Sequence, residues 1–119
     1  MKVMGKALIK TNGRVLDTLP GATLDIGGVT RETVTGDNRV IGQKSMPRPS
    51  KIEFEIAVTG QTSLAEIARW EDVVVTVEAD TGQTWVVPSA WTTEPPTTTT
   101  SDGKAKVVME GMPAEEMTS

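Results

Sequence analysis

The sequence predicts a mainly β domain, a small antiparallel β-sandwich or partly open barrel with one short α-helix packed at its side. Three observations point there. Thr and Val are the two commonest residues, and both are β-branched side chains that suit a pleated surface. Lys51–Thr59 alternates cleanly, with Ile52, Phe54, Ile56 and Val58 on one face and Lys51, Glu53, Glu55 and Ala57 on the other. Asn12-Gly13 separates two extended runs, and this pair is a strong short hairpin signal because both residues tolerate positive φ. A chain of 119 residues suits a single domain over 1–119. At that size it buries roughly two-thirds of its unfolded surface, enough for a core without covalent staples.

Gly5–Thr11 reads as the first strand, with Arg14–Asp17 as its return arm after Asn12-Gly13. Leu19-Pro20-Gly21 breaks the path, which Ala22–Ile26 resumes. After the alternating strand, Gly60-Gln61-Thr62 leads into a helix over Ser63–Trp70. Ser63 and Glu66 have capping-box spacing, and Leu64, Ile67 and Ala68 form an i, i+3, i+4 stripe. So short a helix needs a sheet to dock on. Asp72–Ala79 is a strand turned by Asp80-Thr81-Gly82, and Gln83–Val87 returns. Pro88 confines the pairing there to an edge or a bulge. Ala90–Glu94 continues extended to Pro95-Pro96, Thr97–Gly103 is a polar loop, and Lys104–Glu110 is the last strand. Met112–Ser119 lacks any pattern and reads as a mobile tail.

The segment from Asp25 to Pro49 stands apart. It holds four of the eleven glycines, alternating charge at Arg31, Glu32, Asp37, Arg39 and Lys44, and no clean period. Structureless stretches beyond roughly 12–15 residues are uncommon in compact domains. Val29, Val34, Val40 and Ile41 argue against simple disorder, whose composition is poor in such groups. The segment reads as an arm that becomes ordered by lying on another copy of the same chain.

Composition excludes several chemistries. With no cysteine and no histidine, a disulfide framework, thiolate metal sites and Ser-His-Asp or Cys-His catalysis are unavailable. No apolar run approaches the roughly 20 residues of a membrane helix, and the first residues lack the apolar stretch of a signal peptide. Residues 1–51 carry nine basic and four acidic side chains, a net of +5, and residues 52–119 carry three and twelve, a net of −9. Either folding interleaves the two halves, or surfaces of opposite sign favour head-to-tail association. A pI near 4.8 disfavours a basic nucleic-acid binder.

Asp80-Thr81-Gly82 echoes the catalytic tripeptide of aspartic proteases, whose chemistry needs two carboxylates sharing a proton. Glu78-Ala79 before it and Gln83 after it depart from that family's context, and a turn with Gly at the positive-φ position explains the tripeptide. Glu53 and Glu55 read as a solvated strand face. Gly27-Gly28 lacks the following residues of a phosphate loop. No catalytic, cofactor or metal constellation emerges.

The sequence resembles the tail tube proteins of contractile-tailed bacteriophages, in particular the phage Mu-like group. The resemblance is carried by Gly27-Gly28-Val29, Arg31-Glu32, Gly36, Gly42, Pro47-x-Pro49, Leu64-Ala65-x-Ile67, Ala79-Asp80-Thr81-Gly82, Ala90-Trp91-x-Thr93-Glu94-Pro95-Pro96 and Pro113-Ala114-Glu115-Glu116-Met117. It implies a non-enzymatic virion protein, assembled in the host cytoplasm. Copies would form hexameric rings stacked into the inner tube of the tail, the conduit for the genome. Sheath, tape measure and baseplate proteins are the implied partners, without cofactor or membrane. A type VI secretion-like needle tube is the alternative and an aspartic peptidase the distant one. The resemblance also implies that a long extended hairpin loop, here Val29 to Met46, reaches a neighbouring ring. Arg31, Glu32, Val34, Asp37, Arg39, Val40, Ile41 and Lys44 are then the candidate contact residues. Glu53, Glu55, Glu78 and Glu110 are candidates for an acidic lumen that DNA slides past without specific binding.

Overall fold

Asn12 and Gly13 take φ of 48° and 81°, so the first two strands, β1 (Ala7–Thr11) and β2 (Arg14–Val15), meet in the tight hairpin their sequence dictates. The Asn12 side chain then does something the pattern did not announce. Its Oδ1 accepts the Val74 N–H at 2.9 Å while its own N–H donates to the Val74 carbonyl at 2.8 Å, extending the ladder past the strand end. The computed structural model describes residues 1–119 apart from Val3, Gln61 and Ser119. The Gln61 part of the helix lead-in and the last residue of the tail therefore lie outside the described residues.

The remaining elements are β3 (Thr23–Asp25), β4 (Gly28–Thr35), β5 (Val40–Arg48), β6 (Ser50–Ala57), α1 (Leu64–Ala68), β7 (Val73–Ala79), β8 (Gln83–Thr92), β9 (Thr97–Thr99), β10 (Lys104–Gly111) and β11 (Glu115–Thr118). One antiparallel sheet runs β2-β1-β7-β8-β10-β6-β3, with β9 added beside β10 and β11 beside β8. It curls around a single core of Ile9, Ile52, Phe54, Ile56, Val75, Val77, Val87, Val107 and Met109. The alternation expected of the sixth strand is present, with Ile52, Phe54 and Ile56 buried. The sheet is joined at one end only, where the Leu19 N–H donates to the Glu55 carbonyl and the Ala57 N–H to the Asp17 carbonyl. β1 and β3 face each other across an apolar mouth lined by Ala7, Leu24, Ile26 and Trp85, so the barrel is partly open.

Helix α1 is shorter than Ser63–Trp70 but starts as its cap predicts, Ser63 Oγ accepting the Glu66 N–H at 3.3 Å. The Glu66 carboxylate turns instead to Arg14, 3.7 Å away. Ile67 is buried, and Thr92 Oγ1 donates to its carbonyl at 2.7 Å, which pins the helix to the end of β8.

One segment takes a form its sequence allowed, and two differ from expectation for one reason, a partner distant in sequence. Gln83–Thr92 is one continuous strand, β8, and Pro88 sits in a bulge, one of the two places its sequence allows, because the β7 register shifts between Val73 and Val75 opposite it. The missing Pro88 N–H falls in that bulge, where no ladder bond is lost. Thr97–Thr99, read as loop, lines up on Lys104–Lys106, with Thr98 Oγ1 donating to the Lys104 carbonyl at 2.8 Å. The patternless tail is corrected too. Glu115–Thr118 is β11, paired with Gln83–Val86, because β10 leaves that edge of β8 open and an open sheet edge recruits a strand.

Candidate assembly surface

Two consecutive glycines at positive φ, Gly27 at 72° and Gly28 at 113°, turn the chain out of the barrel. At Gly27 the turn is crowded as well as left-handed, since a Cβ would lie 2.6 Å from the Pro49 carbonyl carbon and the Ser50 nitrogen. Asp25 Oδ1 accepts the Gly27 N–H at 3.1 Å and the Arg48 Nη2 donor at 2.7 Å, tying both legs of the arm at its root.

From that root the arm pairs first with itself. β4 and β5 form a separate two-stranded sheet of eight paired positions, Gly28↔Arg48 through Thr35↔Val40, closed by the Gly36 N–H donating to the Arg39 carbonyl at 2.8 Å. Every residue of β5 and all of β4 beyond Gly28 are exposed. The protein consequently measures 63 × 36 × 26 Å. The lack of an apolar–polar period now has its cause, because neither face of this ribbon rests on the protein's own core.

Directly opposed residues share a face, which sorts the predicted contact residues. Arg31 lies on one face with Val29, Thr33 and Pro47. Glu32, Lys44, Val34 and Met46 lie on the other, where Lys44 Nζ and Glu32 Oε2 are 3.4 Å apart. A register shift between Val34 and Thr35 makes Ile41 the extra residue of a bulge, and its Cδ1 packs over Gly36. Val40 and Ile41 are each more than 60% exposed, at the tip beside Arg39 and Asp37. Arg31, Asp37 and Arg39 have no ion-pair partner among the described residues. Sequence reasoning missed Asp25, Arg48 and Met46. The first had a readable signal, since Asp two residues before Gly is an Asx-turn pattern.

The four lumen candidates are not one acidic patch. Glu53, Glu55 and Glu110 share the outward face of the β6–β10 pair with Lys51, Lys104 and Lys106. Lys51 Nζ is 3.2 Å from Glu53 Oε1, Glu55 is registered opposite Lys106, and Glu110 opposite Lys51. Glu78 lies on β7 beside Lys10, 3.1 Å from its Nζ. Asp80 caps a turn, accepting the Gly5 N–H at 3.2 Å, and Gly82 takes φ 98°. Among the described residues no three potential ligands converge to hold a metal, and no helix is long and apolar enough to cross a membrane.

A family model described as phage tail tube protein matches residues 1–116. The tail tube protein of Escherichia phage Mu is 44% identical over 92 residues, 77% of this chain and 77% of that one. The Mu-like prophage FluMu tail tube protein of Haemophilus influenzae is 35% identical over 105 residues, 88% of this chain and 87% of its own. Among solved structures, the tube-terminating cap of the anti-feeding prophage is similar at TM-score 0.68 and 14% identity, over 95% of this chain and 88% of the other. The PVC sheath–tube complex of an extracellular contractile injection system is similar at TM-score 0.62 and 15% identity, over 96% and 89%. At those identities the likeness is one of fold.

Proposed function

The chain belongs to the phage tail tube protein family, and on that premise we propose that its copies close into hexameric rings and stack into the inner tube of a contractile tail, through which the genome leaves. It acts as a structural component of the virion tail and not as an enzyme. One observation carries the assembly reading, the self-paired hairpin β4–β5 exposed on both faces. A lone two-stranded ribbon is marginal in water, and this one displays Val29, Val34, Val40, Ile41 and Met46. Burial against another copy supplies what the monomer lacks.

Ring closure draws on the open barrel. Joining sheets around a ring covers strand edges that otherwise invite uncontrolled pairing. Stacking through a projecting arm is heterologous and open-ended, so tape measure, baseplate and sheath proteins are proposed to set length and surroundings. The outward face of β6–β10 is the proposed bore lining. Its three lysines and three glutamates balance, which offers a passing duplex no net phosphate neutralisation, the main source of non-specific affinity. A secretion needle tube would share the fold, but the identity to the Mu and Mu-like proteins favours a phage tail.

Negative-stain electron microscopy of the purified protein over a concentration series, with and without a baseplate seed, tests this. Hollow tubes or rings of uniform width are expected. Isolated small particles under every condition, seeded ones included, would overturn the assembly reading.

A further inference from the structure

We propose that the apolar mouth of the barrel is the seat for the hairpin tip of a second copy, with Val40 and Ile41 entering the mouth and Arg39 pairing with Glu116. The proposal rests on the reading that copies assemble through the hairpin, and it names the surface that receives it.

The mouth is a cavity of about 350 Å³ between the unclosed edges β1 and β3, within the roughly 300–1,000 Å³ of clefts that take ligands. Its floor is the core itself, Ile9, Ile52 and Val77, and its walls include Leu24, Ile26 and Trp85. An open apolar hollow of this kind is a site waiting for apolar side chains. At its edge stands one carboxylate, Glu116, on β11 opposite Trp85. It has no ion-pair partner among the described residues. The hairpin tip is the complement, two highly exposed aliphatic side chains, Val40 and Ile41, directly after Arg39, a cation equally without an ion-pair partner among the described residues.

The protein's own tip cannot fill its own mouth. Ile26, in the mouth wall, accepts the Ala114 N–H at 2.8 Å and immediately precedes the hairpin root at Gly27. Eight paired positions at about 3.3 Å each carry the tip some 25 Å away from that root. The occupant is therefore another copy, and the contact joins different surfaces of identical chains, the arrangement that propagates.

The test is charge exchange between two surface positions in the full chain. Arg39→Glu and Glu116→Arg are each expected to raise the protein concentration needed for tube formation about fivefold or more, and the double exchange to return it to within about twofold of the parent. A double variant no better than the worse single one overturns the proposal. So does a silent Glu116→Arg beside a damaging Arg39→Glu, and that outcome leaves hairpin-mediated assembly standing. If Ile41→Asp also assembles like the parent, the hairpin reading falls as well. A second measurement does not depend on charge. The chain has no cysteine, so Ala22→Cys combined with Ile41→Cys is expected to give a ladder of disulfide-linked oligomers in oxidised assemblies, with neither single variant exceeding a dimer. Oxidised tubes of the double variant without a ladder overturn the assignment.

Discussion

Arg48 Nη2 lies 2.7 Å from Asp25 Oδ1, and that same oxygen accepts the Gly27 N–H at 3.1 Å. One carboxylate thus holds the outgoing leg of the hairpin by its backbone and the returning leg by its side chain. Both partners are about half exposed, so Asp25→Ala is expected to lower stability by no more than about 1 kcal/mol. Its larger effect is on direction, because the ribbon loses the tie that aims it. Thermal unfolding is expected to move little while the pelleted polymer fraction falls. Equal polymer yield would show that other copies, not the root, aim the hairpin.

Gly27 makes a different kind of prediction at the same place. Ala there must hold φ near 72° and also push the Pro49–Ser50 backbone aside. Left-handed strain alone costs on the order of 1–3 kcal/mol. Gly27→Ala is expected to lower the unfolding midpoint by roughly 10 °C, and Gly42→Ala, in open space at an ordinary φ, to leave it nearly unchanged. Calorimetry of the two variants side by side checks it.

How much of this was legible in the sequence follows from where each segment's partner lies. Ser50–Ala57 and the Ser63 cap could be read because alternation and capping are local. Asn12-Gly13 and Asp80-Thr81-Gly82 could be read because positive φ selects their residues. At Pro88 the sequence narrows the pairing to an edge or a bulge, and the bulge is selected by Val73–Val75 on another strand. β11 could not be read, because its strand state comes from the edge of β8 and not from its own residues. From its own residues the arm was visible only as an anomaly, and it was legible as a hairpin over Val29–Met46 only through the resemblance, since alternation records a buried face and this ribbon has none. Taken alone, β6 shows an acidic centre on its outward face, and only the register with Lys104 and Lys106 shows that face to be balanced.

β11 gives a direct contrast between a loose tail and a structural strand. Truncation after Ala114 removes four ladder positions on Gln83–Val86 and bares that edge of β8. With each backbone bond worth roughly 0.5–1.5 kcal/mol net, the loss is on the order of 2 kcal/mol. A lower unfolding midpoint and faster exchange of the Thr84–Val86 amides are expected. A truncated protein as stable as the parent would return the segment to the status of a tail.

Arg31 and Arg39 sit on the ribbon without carboxylate partners among the described residues, so replacing both by Glu removes no ion pair seen in the monomer. The double variant is expected to unfold at the parent's temperature and to assemble poorly. Lys44→Ala, which only releases the exposed Glu32, is expected to change the unfolding free energy by less than about 0.5 kcal/mol. If the double arginine variant polymerises like the parent, the arm's charges play no part in assembly and its aliphatic residues carry the contact alone.

The proposed bore face turns on balance and not on acidity. Glu53 and Glu55 stand on β6 among Lys51, Lys104 and Lys106, and each glutamate removed leaves a lysine without its counter-charge. Reversing both to Lys converts three positive and three negative side chains on that face into five and one. Core packing is untouched, because Ile52, Phe54 and Ile56 point the other way. Tubes are therefore expected to form normally. Around a ring the added charge accumulates, counterions are released on contact with phosphate, and the duplex is held instead of passed. Genome ejection is expected to slow, with the defect shrinking as salt rises, since that affinity falls steeply with ionic strength. Ejection at the parental rate from intact tubes at low salt would remove Glu53 and Glu55 from the bore and place another face of the barrel there.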